Sequence, residues 1–164
     1  MRRAVLVASL SVMALAACGF KLRGSRELPF ATIFLSAGTN NALSAELARN
    51  IRIGTSTKIV QDRSQAAAVL DILGESREQD ILSLNAQGRA REYTLRYKLS
   101  FKVSDGKGRE FIPATQIAVQ RDISYNESEV LAKESEEALL YRDMQTDLVQ
   151  QILRRLAAVK IDAT

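Results

Sequence analysis

The chain contains no histidine, a single cysteine and only two prolines. Without histidine there is no Ser-His-Asp or Cys-His nucleophile system, and most zinc sites are excluded as well. Cys18 has no second thiol to pair with, so no disulfide braces the fold. No glycine-rich phosphate loop is present: Gly106 and Gly108 flank Lys107 in what reads as a hairpin rather than a strand-to-helix turn. Acidic residues are plentiful, but scattered positions do not define an acid-base pair. Glu75 with Glu92 is the one glycosidase-like pairing to carry forward. The sequence is therefore read as a non-enzyme, with no metal and no dissociable cofactor.

What is present begins at the first apolar run. Arg2 and Arg3 precede a segment from Ala4 to Leu15 that is interrupted only by small and hydroxyl residues. Twelve helical residues reach about 18 Å, too short for a hydrocarbon core of roughly 30 Å. The run is a signal segment, not a transmembrane anchor. It ends in Leu15-Ala16-Ala17-Cys18, which resembles the bacterial lipobox. That motif implies cleavage before Cys18, an S-diacylglycerol on its thiol and an N-acyl group on the new amine. The alternative is a plain signal peptide cut after Ala17, which leaves the lone exported thiol without a use. Gly19, in place of the Asp that favours retention at the inner membrane, implies an outer-membrane lipoprotein on the periplasmic side.

Removing residues 1–17 leaves 147 residues, enough for one hydrophobic core. The net charge of +4 falls to +2 when Arg2 and Arg3 depart, so charge arguments rest on placement rather than on total. Residues 18–30 read as a lipidated tether, in which Lys21, Arg23 and Arg26 can meet acidic headgroups or simply solvate a leash. Residues 31–164 read as one α+β domain.

Within that domain Ala31–Ser36 is a β-branched strand, and turn residues from Gly38 onward lead to Asn40 or Asn41 as a helix cap. Leu43, Leu47 and Ile51 at spacing four predict a helix over Ala42–Ile53, closed by Gly54. Thr55–Val60 offers a short edge strand, and residues 62–65 a loop. A second strand starts at Ala66. It either continues as a solvent-facing ribbon through Gly74–Asp80 or breaks there. The clearest element comes next: Tyr93, Leu95, Tyr97, Leu99, Phe101 and Val103 occupy odd positions while polar residues fill the even ones. Ile117, Val119 and Ile123 alternate in the returning strand, with Pro113 near its start. Asn126 and Glu129 open a long last helix with apolar spacing from Val130 to Val159. The expected architecture is a β-α-β-β-β-α sandwich: a mostly antiparallel four-stranded sheet with two helices on one face.

Arg96, Lys98 and Lys102 share the wet face of the alternating strand, about 7 Å apart or multiples of it, with Arg89 and Arg91 just before them. Such a stripe suits a ligand with several phosphates. It equally suits a solubilising strand face, and composition alone favours that plainer reading. Nucleic acid is not expected as a partner of a lipid-tethered exported chain.

Three stretches carry a resemblance to a known family: Cys18-Gly19-Phe20-Lys21-Leu22-Arg23-Gly24 at the anchor, Ala90-Arg91-Glu92-Tyr93 opening the long strand, and Leu131-Ala132-Lys133-Glu134-Ser135-Glu136 entering the last helix, with Gln150, Ile152, Arg154 and Leu156 beyond. Together they resemble the LptE family of outer-membrane lipoproteins. The resemblance implies a plug for the large LptD β-barrel, a role in folding that barrel, and participation in lipopolysaccharide delivery. It also implies lipopolysaccharide binding through basic residues in the turn before the long strand and at the start of the last helix. Lys133 matches the second position. Ala86 stands where a basic turn residue is expected, with Arg91 and Arg89 close by, followed by Arg96 and Lys98. The competing class is a stand-alone lipoprotein that binds an anionic lipid or glycan without a barrel.

Overall fold

In the computed structural model, residues 27–36, 41–125 and 130–161 are described. The signal segment, Cys18, most of the tether, the turn at 38–40 and the Asn126–Glu129 helix start lie outside them. The elements run β1 (Thr32–Leu35), α1 (Ala42–Gly54), β2 (Lys58–Ile59), a 3₁₀ turn at Arg63–Gln65, β3 (Ala68–Leu84), β4 (Ala90–Ser104), β5 (Glu110–Ser124) and α2 (Val130–Ala157).

The sheet has five strands in the order β2-β1-β3-β4-β5, which corrects the expected four-stranded, mostly antiparallel sheet. β1 runs parallel to both β2 and β3, and only β3, β4 and β5 form antiparallel pairs. The reason lies in the connections. α1 stands between β1 and both of its partners in the chain, and a chain that crosses over through a helix re-enters the sheet in the same direction. An apolar pattern records which residues face inward, not which neighbour a strand pairs with. β2 is two residues long and is stitched to β1 by Lys58 N–H on Ala31 O and Val60 N–H on Ile33 O, both at 3.0 Å.

The core lies between one sheet face and both helices. Every odd position of β4 from Leu95 to Val103 is fully buried there. Fully burying each such side chain contributes roughly 1.5–3 kcal/mol. Opposite them sit Leu43, Leu47 and Ile51 of α1 and Met144, Leu148, Ile152 and Leu156 of α2. Asn41 caps α1, its side chain accepting from Leu43 N–H at 3.0 Å, and Thr55 N–H closes the other end on Ile51 O at 3.1 Å. The two helices run side by side in the same direction: Gln145 and Thr146 donate to Glu46 at 2.7 and 2.8 Å, and one turn further along both helices Gln150 donates to Asn50 at 3.4 Å. Along α2 burial begins only at Tyr141; its earlier turns protrude past the core. The first described turn, Val130–Lys133, carries no acid, and the acidic residues of the described helix begin at Glu134.

β3 is one unbroken strand of 17 residues, so the polar stretch is a ribbon and not a break. A bulge at Leu73 changes which side chains face the helices. Leu70 and Ile72 lie opposite Val103 and Phe101, but beyond the bulge Glu75, Arg77, Gln79 and Ile81 lie opposite Leu99, Tyr97, Leu95 and Tyr93. The far face of early β3 is covered too. The 3₁₀ turn delivers Arg63 to Asp71 through two hydrogen bonds of 3.3 and 2.9 Å. Gly106, at φ 74°, brings the β4–β5 turn against Val69.

Candidate functional site

The β3–β4 turn builds the far end of the sheet. Asn85 folds back on it, its side chain accepting from Gln87 and Arg89 N–H at 3.0 and 2.9 Å, while Gly88 takes φ 75°. This places Arg89 and Arg91 at the entrance to β4. β5 ends beside them, with Ser124 opposite Glu92 and Tyr125 N–H bonded to Arg91 O at 2.7 Å. The Tyr93 and Tyr125 rings meet edge to face, centroids 5.6 Å apart. α2 then returns over the same end, where Lys133 Nζ reaches Ser124 Oγ at 3.2 Å and Glu136 at 2.8 Å. So the structure brings Arg89, Arg91 and Lys133 to one tip of the molecule.

The tip also exposes large apolar side chains. A second register shift near Leu82 ends the regular ladder, and Ile81, Leu82 and Leu84 all stand more than half exposed. Leu131, on α2, is 80% exposed. Most single surface apolar residues need no explanation, whereas a cluster at one end beside cations does. In the sequence Ile81, Leu82 and Leu84 look like renewed core, and only their place beside a turn hints otherwise.

Arg96 and Lys98 lie elsewhere, on the open face of the sheet, and acids from β3 engage both. Arg96 is 3.1 Å from Asp80 and 3.8 Å from Glu78, and Lys98 is 2.7 Å from Glu78. The hydrogen bond from Lys98 holds the Glu78 carboxyl below the usual carboxylate range. Thr94 donates to Asp122 at 2.7 Å on the same face. What the sequence offers as a basic stripe is, in the fold, a cross-strand ladder of opposed charges.

The glycosidase-like pair does not form. Glu75 is bonded by Tyr97 Oη and Asn41 Nδ2 on the helix side. Glu92 takes Ser83 Oγ at 2.7 Å on the other face. The two are registered seven positions apart along β4, about 23 Å, far beyond the roughly 5–9.5 Å such chemistry needs. Among the described residues no group of three or more Cys, Asp or Glu side chains is placed to hold a metal. No described helix is long and apolar enough to cross a membrane.

A broad groove of about 1060 Å³ runs between the helices above the ribbon part of β3. It is polar and of mixed charge, with Arg49, Arg77 and Arg142 against Glu46, Glu134 and Glu137. Its floor is an ordered network: the Arg77 guanidinium lies 4.7 Å from the Tyr97 ring centre and 5.3 Å from that of Tyr141. Tyr141 Oη donates to Glu78 O at 3.0 Å. Burial, reinforced by the hydrogen bond to Glu75, pushes Tyr97 up to about 12.

The fold is that of an α+β domain of the lipoprotein B type. A solved lipoprotein B from Nitrosomonas europaea superposes with a TM-score of 0.74 at 37% identity, covering 85% of this chain and 91% of that one. The rare lipoprotein B of Shewanella oneidensis gives 0.68 at 26% identity, over 77% and 94%. The LptE family model, described as lipopolysaccharide-assembly, matches residues 30–156, and the chain belongs to that family. It is 29% identical over 158 residues to the LPS-assembly lipoprotein LptE of Pectobacterium atrosepticum, spanning 94% of this chain and 84% of that protein. The Yersinia enterocolitica protein of the same name is 27% identical over 158 residues, spanning 94% and 75%.

Proposed function

We propose that this chain is an outer-membrane lipoprotein, acylated on Cys18 through an N-acyl and an S-diacylglycerol group, that assembles with an LptD-like β-barrel. It plugs the barrel lumen from the periplasmic side, assists barrel folding and takes part in passing lipopolysaccharide to the outer leaflet. The family match over residues 30–156 carries this reading. A plug must present polar, mixed-charge surfaces to a polar lumen, and the charge ladder on the open sheet face and the helix groove both have that character.

In this reading lipopolysaccharide meets the tip. Its phosphates take charge-assisted hydrogen bonds from Lys133, Arg91 and Arg89, and its acyl region lies against Ile81, Leu82, Leu84 and Leu131. Lys133 has three donors, two of them already engaged by Ser124 and Glu136, which leaves one for a phosphate. Arg91 is exposed, without a side-chain partner among the described residues, and brings its whole guanidinium. Arg96 and Lys98 contribute less, because Asp80 and Glu78 compete for them.

The test is depletion of the chain from cells that make lipopolysaccharide. Surface lipopolysaccharide and the amount of folded barrel should fall together, and restored expression of the native chain should recover both. If both quantities hold steady through depletion, the proposal fails.

A further inference from the structure

A second cavity, of about 230 Å³, lies between α1 and the β1–β2 edge of the sheet. Its walls are Phe34, Leu35, Ala48, Ile59 and Val60. Two polar side chains of α1 also line it. Ser44 is only 4% exposed, and its hydroxyl has no hydrogen-bond partner among the described residues. Arg52 is exposed at the rim. A buried hydroxyl without a partner loses about 1–3 kcal/mol relative to a satisfied one. A purely apolar wall would serve packing better, so the orphaned Ser44 points to a polar atom supplied from outside.

Ser44, Ala48 and Arg52 stand at successive steps of four along α1, one above another on the same helical face. Each step is about 6 Å, and side chains on a helix lean toward its N-terminus. From that position the Arg52 side chain is long enough to reach back over the small Ala48 toward Ser44. An anion lying over Ala48 would take a hydrogen bond from the Ser44 hydroxyl on one oxygen and from Arg52 on the other. The apolar walls then receive whatever is attached to it. A cavity of roughly 150 Å³ holds benzene, so on the same scale about 230 Å³ holds about nine heavy atoms.

We infer that this cavity is a binding site for a medium-chain aliphatic carboxylate, with the carboxylate between Ser44 and Arg52 and the chain against Phe34, Leu35, Ile59 and Val60. The site is independent of the tip. It abuts the part of β3 near Leu70, whereas the tip begins at Ile81, about 35 Å further along the strand. Either site can fail without touching the other.

The experiment is a titration of the full, lipidated chain in maltoside micelles with carboxyl-labelled octanoate, read by NMR. The expected result is saturable binding at one site, not displaced by octylamine, whose cationic head Arg52 repels. Ala48→Leu fills the cavity and should abolish saturation. Arg52→Glu reverses the rim charge at an exposed position, where folding is not at stake, and should weaken binding about tenfold or more. Non-saturable uptake by the native chain, or equal affinity in Arg52→Glu, would overturn the assignment.

Discussion

Replacing Arg91 by Ala separates the tip from the charged sheet face. In the folded chain the Arg91 side chain holds no partner among the described residues, so its loss should leave stability within about 0.5 kcal/mol of the native value. Binding is another matter. A hydrogen bond to a charged group contributes about 1.5–3 kcal/mol, and the exposure of Arg91 puts it at the low end. The expected loss of lipopolysaccharide affinity is about tenfold, shrinking as salt is added. Arg96→Ala removes the same charge from a different setting. Its charge is already opposed by Asp80 at 3.1 Å and Glu78 at 3.8 Å, so a phosphate there has to compete with two carboxylates. Affinity should change by no more than about twofold, with about 0.2–1 kcal/mol of stability lost. Displacement of fluorescent lipopolysaccharide, run beside urea unfolding, reads both quantities for both variants. If Arg96→Ala weakened binding as much as Arg91→Ala, the assignment of the cationic site to the tip would be wrong.

The same geometry fixes other outcomes. Phe101→Ala empties a fully buried position on β4, an interior strand, and should cost about 3–5 kcal/mol in a denaturant titration. Arg63→Ala strands the mostly buried Asp71 carboxylate, and unfolding free energy should drop by about 1–3 kcal/mol, with Asp71→Asn in the same background recovering part of it. Tyr97 has its folded-state value raised to about 12 from an ordinary 10.0. Between those limits the unfolded chain sheds this proton and the folded chain keeps it, so stability is fully present below pH 10 and declines as pH rises toward 12. Ultraviolet tyrosinate absorbance should show a late step that Tyr97→Phe removes. An unchanged late step would place it on another tyrosine.

Much of the fold is legible because burial on one face forces a period. Tyr93 to Val103 alternates in the sequence, and from Leu95 to Val103 every odd position is fully buried. Leu43, Leu47 and Ile51 likewise show the inner face of α1, and Asn41, one of two residues offered as its cap, performs that role. What escapes the sequence is whatever depends on two segments at once. The direction in which β1 pairs with β3 is set by the crossover through α1, not by either strand's pattern. The bulge at Leu73 shifts the facing of β3 by one residue, so Glu75, Arg77 and Gln79 turn toward the helices, and Arg77 and Gln79 line the groove between them. Arg96 and Lys98 look like a free basic stripe until Glu78 and Asp80 are registered beside them. The tip is the clearest case. Arg89, Arg91 and Lys133 are separated by most of two strands in sequence and meet only because β5 ends beside the turn that starts β4.

Whether this chain works inside a barrel is decided by purifying the tagged, lipidated protein from outer membranes in mild detergent and weighing whatever accompanies it. A one-to-one complex with a β-barrel of many strands is expected. Recovery of the lipoprotein alone, in detergent that keeps other barrel complexes intact, would contradict it and leave a free-standing binder of anionic lipid or glycan.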